Sequence, residues 1–341
     1  MNVDFSKLVA FTDIHFGEKG NDEQHNIDCY EFTRWACEQA HQFGAKTCVF
    51  LGDWHHNRHT VAVNSLHWSH KAMEILNDSF DNVFFLVGNH DLFYKDKRDI
   101  HSVVFGRNFK KFHVIDQVVN IDGMGFVPWL VGNEWQRMEK FSANCDYVFG
   151  HFELPHFMMN AVTAMQDHGQ LNHTHFDQVK HLAFSGHFHK RQVKGKVWYI
   201  GNAFPHNFGD AWDDERGLML LEHGKKPQFA TWPGAPQYRT LKLSELLADP
   251  DSWLNPSTYA KITVDTPVNF DDAQYIKEVF LKHTGARKID IVAENKALEK
   301  AEEEVVSNFL SFDQIVIQCL KSIDSISLDP KLLVDIYKEL N

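Results

Sequence analysis

Five times between residues 7 and 189 a short apolar run breaks off into aspartate, asparagine or histidine, in four cases directly through a glycine. The runs are Lys7–Phe11 and residues 47–51, 83–87, 147–149 and 182–185, and they end in Asp13-Ile14-His15, Gly52-Asp53, Gly88-Asn89-His90-Asp91, Gly150-His151 and Gly186-His187-Phe188-His189. Unbroken apolar runs of this length are what strands buried on both faces require. Strands of that kind need a covering layer on each side, so the chain is expected to be α/β with its sheet between layers. A glycine at the strand end permits a sharp turn or a close approach of two backbones. If the chain stays extended past Gly186, His187 and His189 project to the same side and converge on one site. His173-Thr174-His175 has the same spacing but no strand and glycine leading into it.

The segments between the first runs read as helices. Residues 27–43 carry Tyr30, Trp35 and Phe43 and stop at Gly44; a second helix follows Thr60, whose hydroxyl is a candidate cap, and runs to Asn77. Residues 197–200 end in Gly201-Asn202 and extend the same core. In open α/β architectures functional groups gather at the carboxyl ends of the strands. Here those ends offer Asp13, His15, Asp53, Asn89, His151, His187 and His189 as donors, with His90 to spare. Oxygen and nitrogen donors without thiolates suit Mn²⁺, Fe²⁺ or Zn²⁺. Seven donors exceed the needs of one ion, and a carboxylate shared between two ions gives the arrangement used in phosphoryl displacement. Each piece alone is an ordinary turn, but five such turns, each after a strand, are not.

A formal net charge of −12 argues against a broadly basic nucleic-acid coat. Local basic clusters do occur, at Lys95, Lys97 and Arg98, at Lys110 and Lys111, and at Lys190, Arg191, Lys194 and Lys196. They read equally well as solvated loops or as phosphate contacts. The five cysteines form no C-x-x-C pair and read as reduced thiols of a cytosol-like compartment. No signal peptide and no membrane span is expected, which places the chain in the cytoplasm, the host's if it is viral.

The order D-x-H, G-D, G-N-H-D, G-H, G-H-x-H resembles the calcineurin-like metallophosphoesterases, whose double-sheet sandwich is flanked by helices. Asp91 where protein phosphatases carry Glu, together with His56 three residues after Asp53, is closer to the SbcD-type nucleases of double-strand-break repair. Three further stretches narrow the match: Val127-Pro128-Trp129, Gly150-His151-Phe152-Glu153-Leu154, and Tyr199-Ile200-Gly201 leading to Gly209-Asp210 and Arg216-Gly217. They look like the small recombination-endonuclease subunits of T-even-type bacteriophages, and the likeness spans residues 7–225. It implies two divalent ions, Mn²⁺ first among them. One would be held by Asp13, His15, Asp53 and His189, the other by Asp53, Asn89, His151 and His187. His90 would be the general acid and His56 would handle the DNA end. The implied activity is exonuclease on double-stranded and endonuclease on single-stranded DNA, in complex with an SMC-like coiled-coil ATPase; a homodimer is left open. The alternatives are a stand-alone phosphoesterase acting on nucleotides or phosphoproteins, and a catalytically dead scaffold, which the complete ligand set disfavours.

Trp232-Pro233-Gly234-Ala235-Pro236 is a breaker run and a candidate domain junction. Residues 1–236 are expected to form the metallophosphoesterase domain and 237–296 a small α/β cap, with strands at 259–264 and 287–292 around a helix at 271–284. The resemblance puts that cap against DNA; the alternative is a packing unit with no DNA contact. Residues 297–341 read as C-terminal helices, with apolar stripes at Ala297, Ala301, Val305 and Phe309, then Phe312, Val316 and Leu320, then Leu333, Ile336 and Leu340. They are expected either to dock on their own domain or, as the resemblance implies, to grip the ATPase.

Overall fold

The computed structural model describes residues 3–159 and 163–293, together with Lys331. Four strands, β1 (Lys7–Phe11), β2 (Thr47–Phe50), β3 (Asn82–Leu86) and β4 (Phe112–Ile115), pair in parallel in sequence order. The chain then crosses to a second sheet with β5 (Val119–Ile121), β6 (Met124–Val127), β7 (Tyr147–His151), β8 (Leu182–Gly186), β9 (Gln192–Lys194) and β10 (Val197–Tyr199). It returns to the first sheet as β11 (Leu218–Glu222) and β12 (Gln228–Ala230), both antiparallel to their neighbours. The spatial orders are β12-β11-β1-β2-β3-β4 and β5-β6-β7-β8-β10-β9.

Alternation along each strand explains why the runs are continuously apolar. Leu8, Ala10, Val49, Leu51, Phe84 and Leu86 face inward and meet Phe126, Tyr147, Phe149 and Phe184 of the second sheet. Phe84 and Phe126 stack across the gap with centroids 4.3 Å apart. The opposite set, Val9, Phe11, Cys48, Phe50 and Phe85, faces out and packs under α1 (Glu23–Phe43) and α2 (Val63–Ser79) through Phe32, Ala36, Ala72, Met73 and Leu76. The second sheet's outer face, with Val148, Ala183 and Tyr199, is covered by short helical turns and loops carrying Met138, Phe152 and Phe176. The result is the double-sheet sandwich flanked by helices that the motif order implies. Each such side chain contributes about 1.5–3 kcal/mol when fully buried, so both faces of both sheets hold the strand ends in place.

A third, all-parallel sheet of β13 (Gln237–Lys242), β14 (Thr258–Val264) and β15 (Lys288–Ala293) packs with α3 (Phe270–Thr284) around its own core of Leu241, Leu246, Ile262 and Ile289. It is tied back to the two-sheet body by Arg287 on Asp28, by Arg239 on Asp214 at 2.6 and 3.0 Å, and by Trp212 against Trp253.

Two local expectations change. Helix α1 begins at Glu23, capped by Asp22, whose carboxylate accepts from His25 N–H at 2.9 Å. Helix α2 begins at Val63 after Ala62 with no side-chain cap, so Thr60 does not cap it. The helices expected in 297–341, and Cys319, lie outside the described residues. Among the described residues no helix is long and apolar enough to cross a membrane.

Candidate metal centre

The turns after β1, β2, β3, β7 and β8 meet at one end of the sandwich, and two glycines allow it. A Cβ on Gly52 would stand 2.6 Å from His151 Nδ1 and 2.8 Å from the Gly88 Cα; a Cβ on Gly88 would overlap Asp53 Oδ1. Gly88 makes room for the neighbouring Asp53 turn, and Gly52, which also turns the chain at φ 106°, makes room for His151 from the second sheet. Asp13, His15, Asp53 and His187 have positive φ (50°, 54°, 63° and 90°), an unfavourable backbone for non-glycine residues that persists where the surroundings impose it.

Interlocking hydrogen bonds impose it here. Asp13 accepts from the His187 backbone N–H at 3.0 Å and from Thr12 Oγ at 2.7 Å. Asp53 Oδ1 accepts from the His90 N–H at 2.8 Å. His151 Nδ1–H donates to the Leu51 carbonyl at 2.8 Å, which fixes the tautomer and leaves Nε2 facing the site. Beneath them lies Asp91, fully buried, which accepts four backbone N–H groups. Oδ1 takes Trp54 and His55 at 3.0 and 3.1 Å, and Oδ2 takes Asp53 and Gly88 at 3.0 and 2.9 Å. Burial and the neighbouring Asp53 push Asp91 up to about 7, against the pull of the amides. Four N–H donors use every lone-pair direction of an ionised carboxylate, so that is the form this loop pair is built around.

The donor atoms fall into two groups. Asn89 Oδ1 lies 2.9 Å from both His151 Nε2 and His187 Nδ1, and His151 Nε2 lies 3.4 Å from Asp53 Oδ2. On the other side, His15 Nε2 lies 3.8 Å from both Asp13 Oδ1 and Asp53 Oδ2, and His189 Nε2 lies 4.0 Å from Asp13 Oδ1. Ligands set about 2.1 Å from one ion stand roughly 3.0–3.4 Å from one another. The first group already has that spacing, and the second is slightly wider. Asp53 belongs to both.

The charge balance also calls for cations. Burial lowers His15 and His189, and burial followed by His151 lowers His187 to about 3, so these rings are neutral and keep a free lone pair. Burial would lower His151 as well, but Asp53 and Asp13 outweigh it and bring it to about 9; the opposing His151 holds Asp53 well below the usual carboxylate range. A proton on His151 is one way to neutralise this pocket of acceptors. A divalent ion among the same atoms is the other, and the donor set fits it.

All seven residues expected as ligands are therefore brought together. His187 and His189 converge for a different reason from the one their spacing suggests. The chain turns at His187 instead of staying extended, and the two rings go to different groups, His187 to Asn89 and His189 to Asp13. His90 sits beside them, its Nδ1–H donating to the His56 carbonyl at 2.7 Å and its ring 4.8 Å from that of His15. His56 stacks on His90 at 5.4 Å, and burial lowers its pKa. His173 and His175 lie apart, in a helical turn that Asn172 caps.

The chain resembles a phage nuclease subunit. It is 25% identical over 238 residues to exonuclease subunit 1 of Enterobacteria phage T4, a match covering 66% of this chain and 69% of the phage protein. A solved dimetal phosphatase from Danio rerio covers 63% of this chain and 91% of its own, with a TM-score of 0.38 and 13% identity. No protein-family model matches. The phage relative agrees with the likeness that the motif order carries.

Several supporting residues escaped sequence reasoning. Arg216, buried, donates to Asn202 Oδ1 at 2.6 Å, Asp213 Oδ2 at 2.9 Å, Asp210 Oδ1 at 3.1 Å and the backbone carbonyl of His189, which anchors that ligand. The motifs Gly209-Asp210 and Arg216-Gly217 were its signal. Glu18 pairs with the buried His206 at 2.9 Å, and that ring lies 5.6 Å from His15. The basic clusters are partly spent internally. Arg98 forks onto Glu134 at 2.6 and 2.7 Å, Arg191 lies over Phe229, and Lys196 holds the Val179 carbonyl. Lys95 and Lys97 are exposed.

Proposed function

We propose that this chain is a metal-dependent DNA nuclease, the nuclease subunit of a recombination and repair complex. The observation that carries the reading is the convergence of seven oxygen and nitrogen donors from five strand ends on one point, with Asp53 between the two groups. Asp13, His15, Asp53 and His189 would hold one divalent ion, and Asp53, Asn89, His151 and His187 the other, with Mn²⁺ as the working metal. When bound, such ions supply a nucleophile from water at neutral pH and offset charge on the phosphoryl oxygens. The protein's own groups do the rest. The Leu51 carbonyl keeps the His151 ring oriented through its Nδ1–H. His90 keeps the Nδ1 proton on the His56 carbonyl, so Nε2 is the atom that carries the mobile proton to the leaving oxygen. His56, stacked on His90, would position the DNA end.

The similarity to a phage exonuclease subunit supports DNA as substrate and a partner subunit. Residues 1–236 would be the nuclease domain, 237–296 a DNA-facing cap, and 297–341 the segment that binds an SMC-like ATPase, all in the host cytoplasm. The test is hydrolysis of linear duplex and circular single-stranded DNA with Mn²⁺, beside a nucleotide monoester. Cleavage of both DNAs is expected, and hydrolysis of the monoester alone would overturn the reading.

A further inference from the structure

A cavity of about 180 Å³ opens beside His151, and its wall includes Trp129, Trp135, Glu153, Gln166, His168 and Gln170. None of these has a part in the chemistry above. Trp129 reaches the metal centre directly, its ring 5.1 Å from that of His187 and 6.0 Å from that of His151. Its backbone N–H donates to the Val87 carbonyl at 2.9 Å, which ties the main chain at Trp129 to the end of β3. Glu153 Oε2 stands 3.7 Å from His187 Nε2. Two indoles therefore share a wall with one carboxylate and two carboxamides, next to the place where a phosphodiester would sit.

We propose that this cavity is a nucleobase subsite, which takes one unstacked base of the nucleotide flanking the scissile phosphate. It rests on the nuclease reading and adds to it what the enzyme holds besides phosphate. The chemistry selects this occupant. Indole faces stack on any base, because every base has a π face. An ionised carboxylate accepts only, so it repels a second phosphate and calls for a ligand edge with N–H donors. Carboxamides donate and accept, and suit the remaining ring atoms. Enzymes that hold a base out of the stack read it in this way, between aromatic walls and through hydrogen bonds on its pairing edge. Guanine offers two adjacent N–H groups on that edge and matches both carboxylate oxygens, adenine and cytosine offer one amino group, and thymine offers one imino N–H. The subsite should therefore prefer guanine.

The experiment places an abasic residue at each position flanking the cut in a single-stranded oligonucleotide and compares its kcat/KM with that of the intact strand. One position should show a loss of roughly 5- to 150-fold, the equivalent of about 1–3 kcal/mol of stacking. Trp135→Ala and Glu153→Gln should each bring the ratio of intact to abasic rates towards one; a ratio is read, so any general loss of rate cancels. If Trp135→Ala does not fold, Glu153→Gln decides. A penalty that both variants leave intact, or no penalty at any position, overturns the subsite. Saturation-transfer NMR with deoxyguanosine, which has no phosphate, keeps this separate from the nuclease reading. If neither DNA nor bis(p-nitrophenyl) phosphate is cleaved, the nuclease reading fails, yet a nucleoside signal that Glu153→Gln abolishes still supports the base site. Absence of that signal in the parent protein rejects it.

Discussion

Replacing Asp91 by Asn changes one buried oxygen into an NH₂ group and tests how the site is built. Whichever side the amide takes, two of the four backbone N–H groups, either Trp54 and His55 or Asp53 and Gly88, lose their acceptor and face a donor. A buried donor left unsatisfied costs about 1–3 kcal/mol, so the pair costs about 2–6 kcal/mol. That is a large part of the roughly 5–15 kcal/mol that holds a domain together. At roughly 2–4 °C per kcal/mol for a domain of this size, Tm should fall by about 4–24 °C. The same change frees the Asp53 turn from the Gly88 turn, so Mn²⁺ affinity should fall although no ligand has been altered. Calorimetry gives the first quantity and titration with Mn²⁺ the second. A variant that melts within about 1 °C of the parent and binds Mn²⁺ equally well would refute the claim that Asp91 ties the two turns.

Other predictions follow from the same geometry. His90→Asn should retain metal while turnover falls by roughly 10²–10⁴-fold; cleavage at the parental rate would remove His90 as the acid. His55 is fully buried between Ser69 and Ser102, and burial lowers its pKa to about 3. The unfolded chain therefore binds the extra proton first, and stability falls as pH drops from about 6.5 towards 3. In urea titrations across that window His55→Gln should show a slope shallower by about one proton, and an unchanged slope would contradict this. Of the five cysteines, Cys29, Cys37, Cys48 and Cys145 are buried, and burial raises all four thiols, Cys37 and Cys145 to about 11. In the native protein at pH 8 no more than one thiol per chain should react quickly with a disulfide reagent, and rapid reaction of two or more would contradict the packing.

How much of this was legible in the sequence depended on how local the signal was. The strand ends could be read because burial on both faces leaves unbroken apolar runs, as at residues 83–87 before Gly88. That Gly52 and Gly88 exist for contact between turns could not be read, because each glycine's neighbour lies in another segment. Asp91 stood in the motif, but its four amide partners come from two turns. The same reason hid Arg216, whose partners span residues 189 to 213. Beside two lysines Arg98 read equally well as part of a solvated loop or as a phosphate contact, and only the fold brings Glu134 to it. The edge strands β5, β9 and β12, three residues each, left too little periodicity to see.

The central claim is that seven side chains hold two ions around one shared carboxylate, and anomalous diffraction from crystals soaked in Mn²⁺ tests it most directly. Two peaks are predicted. One should be bound by Asp13, His15, Asp53 and His189, the other by Asp53, Asn89, His151 and His187. A single peak, or peaks at His173 and His175 or at the cluster of Asp146, His181 and His223, would contradict it.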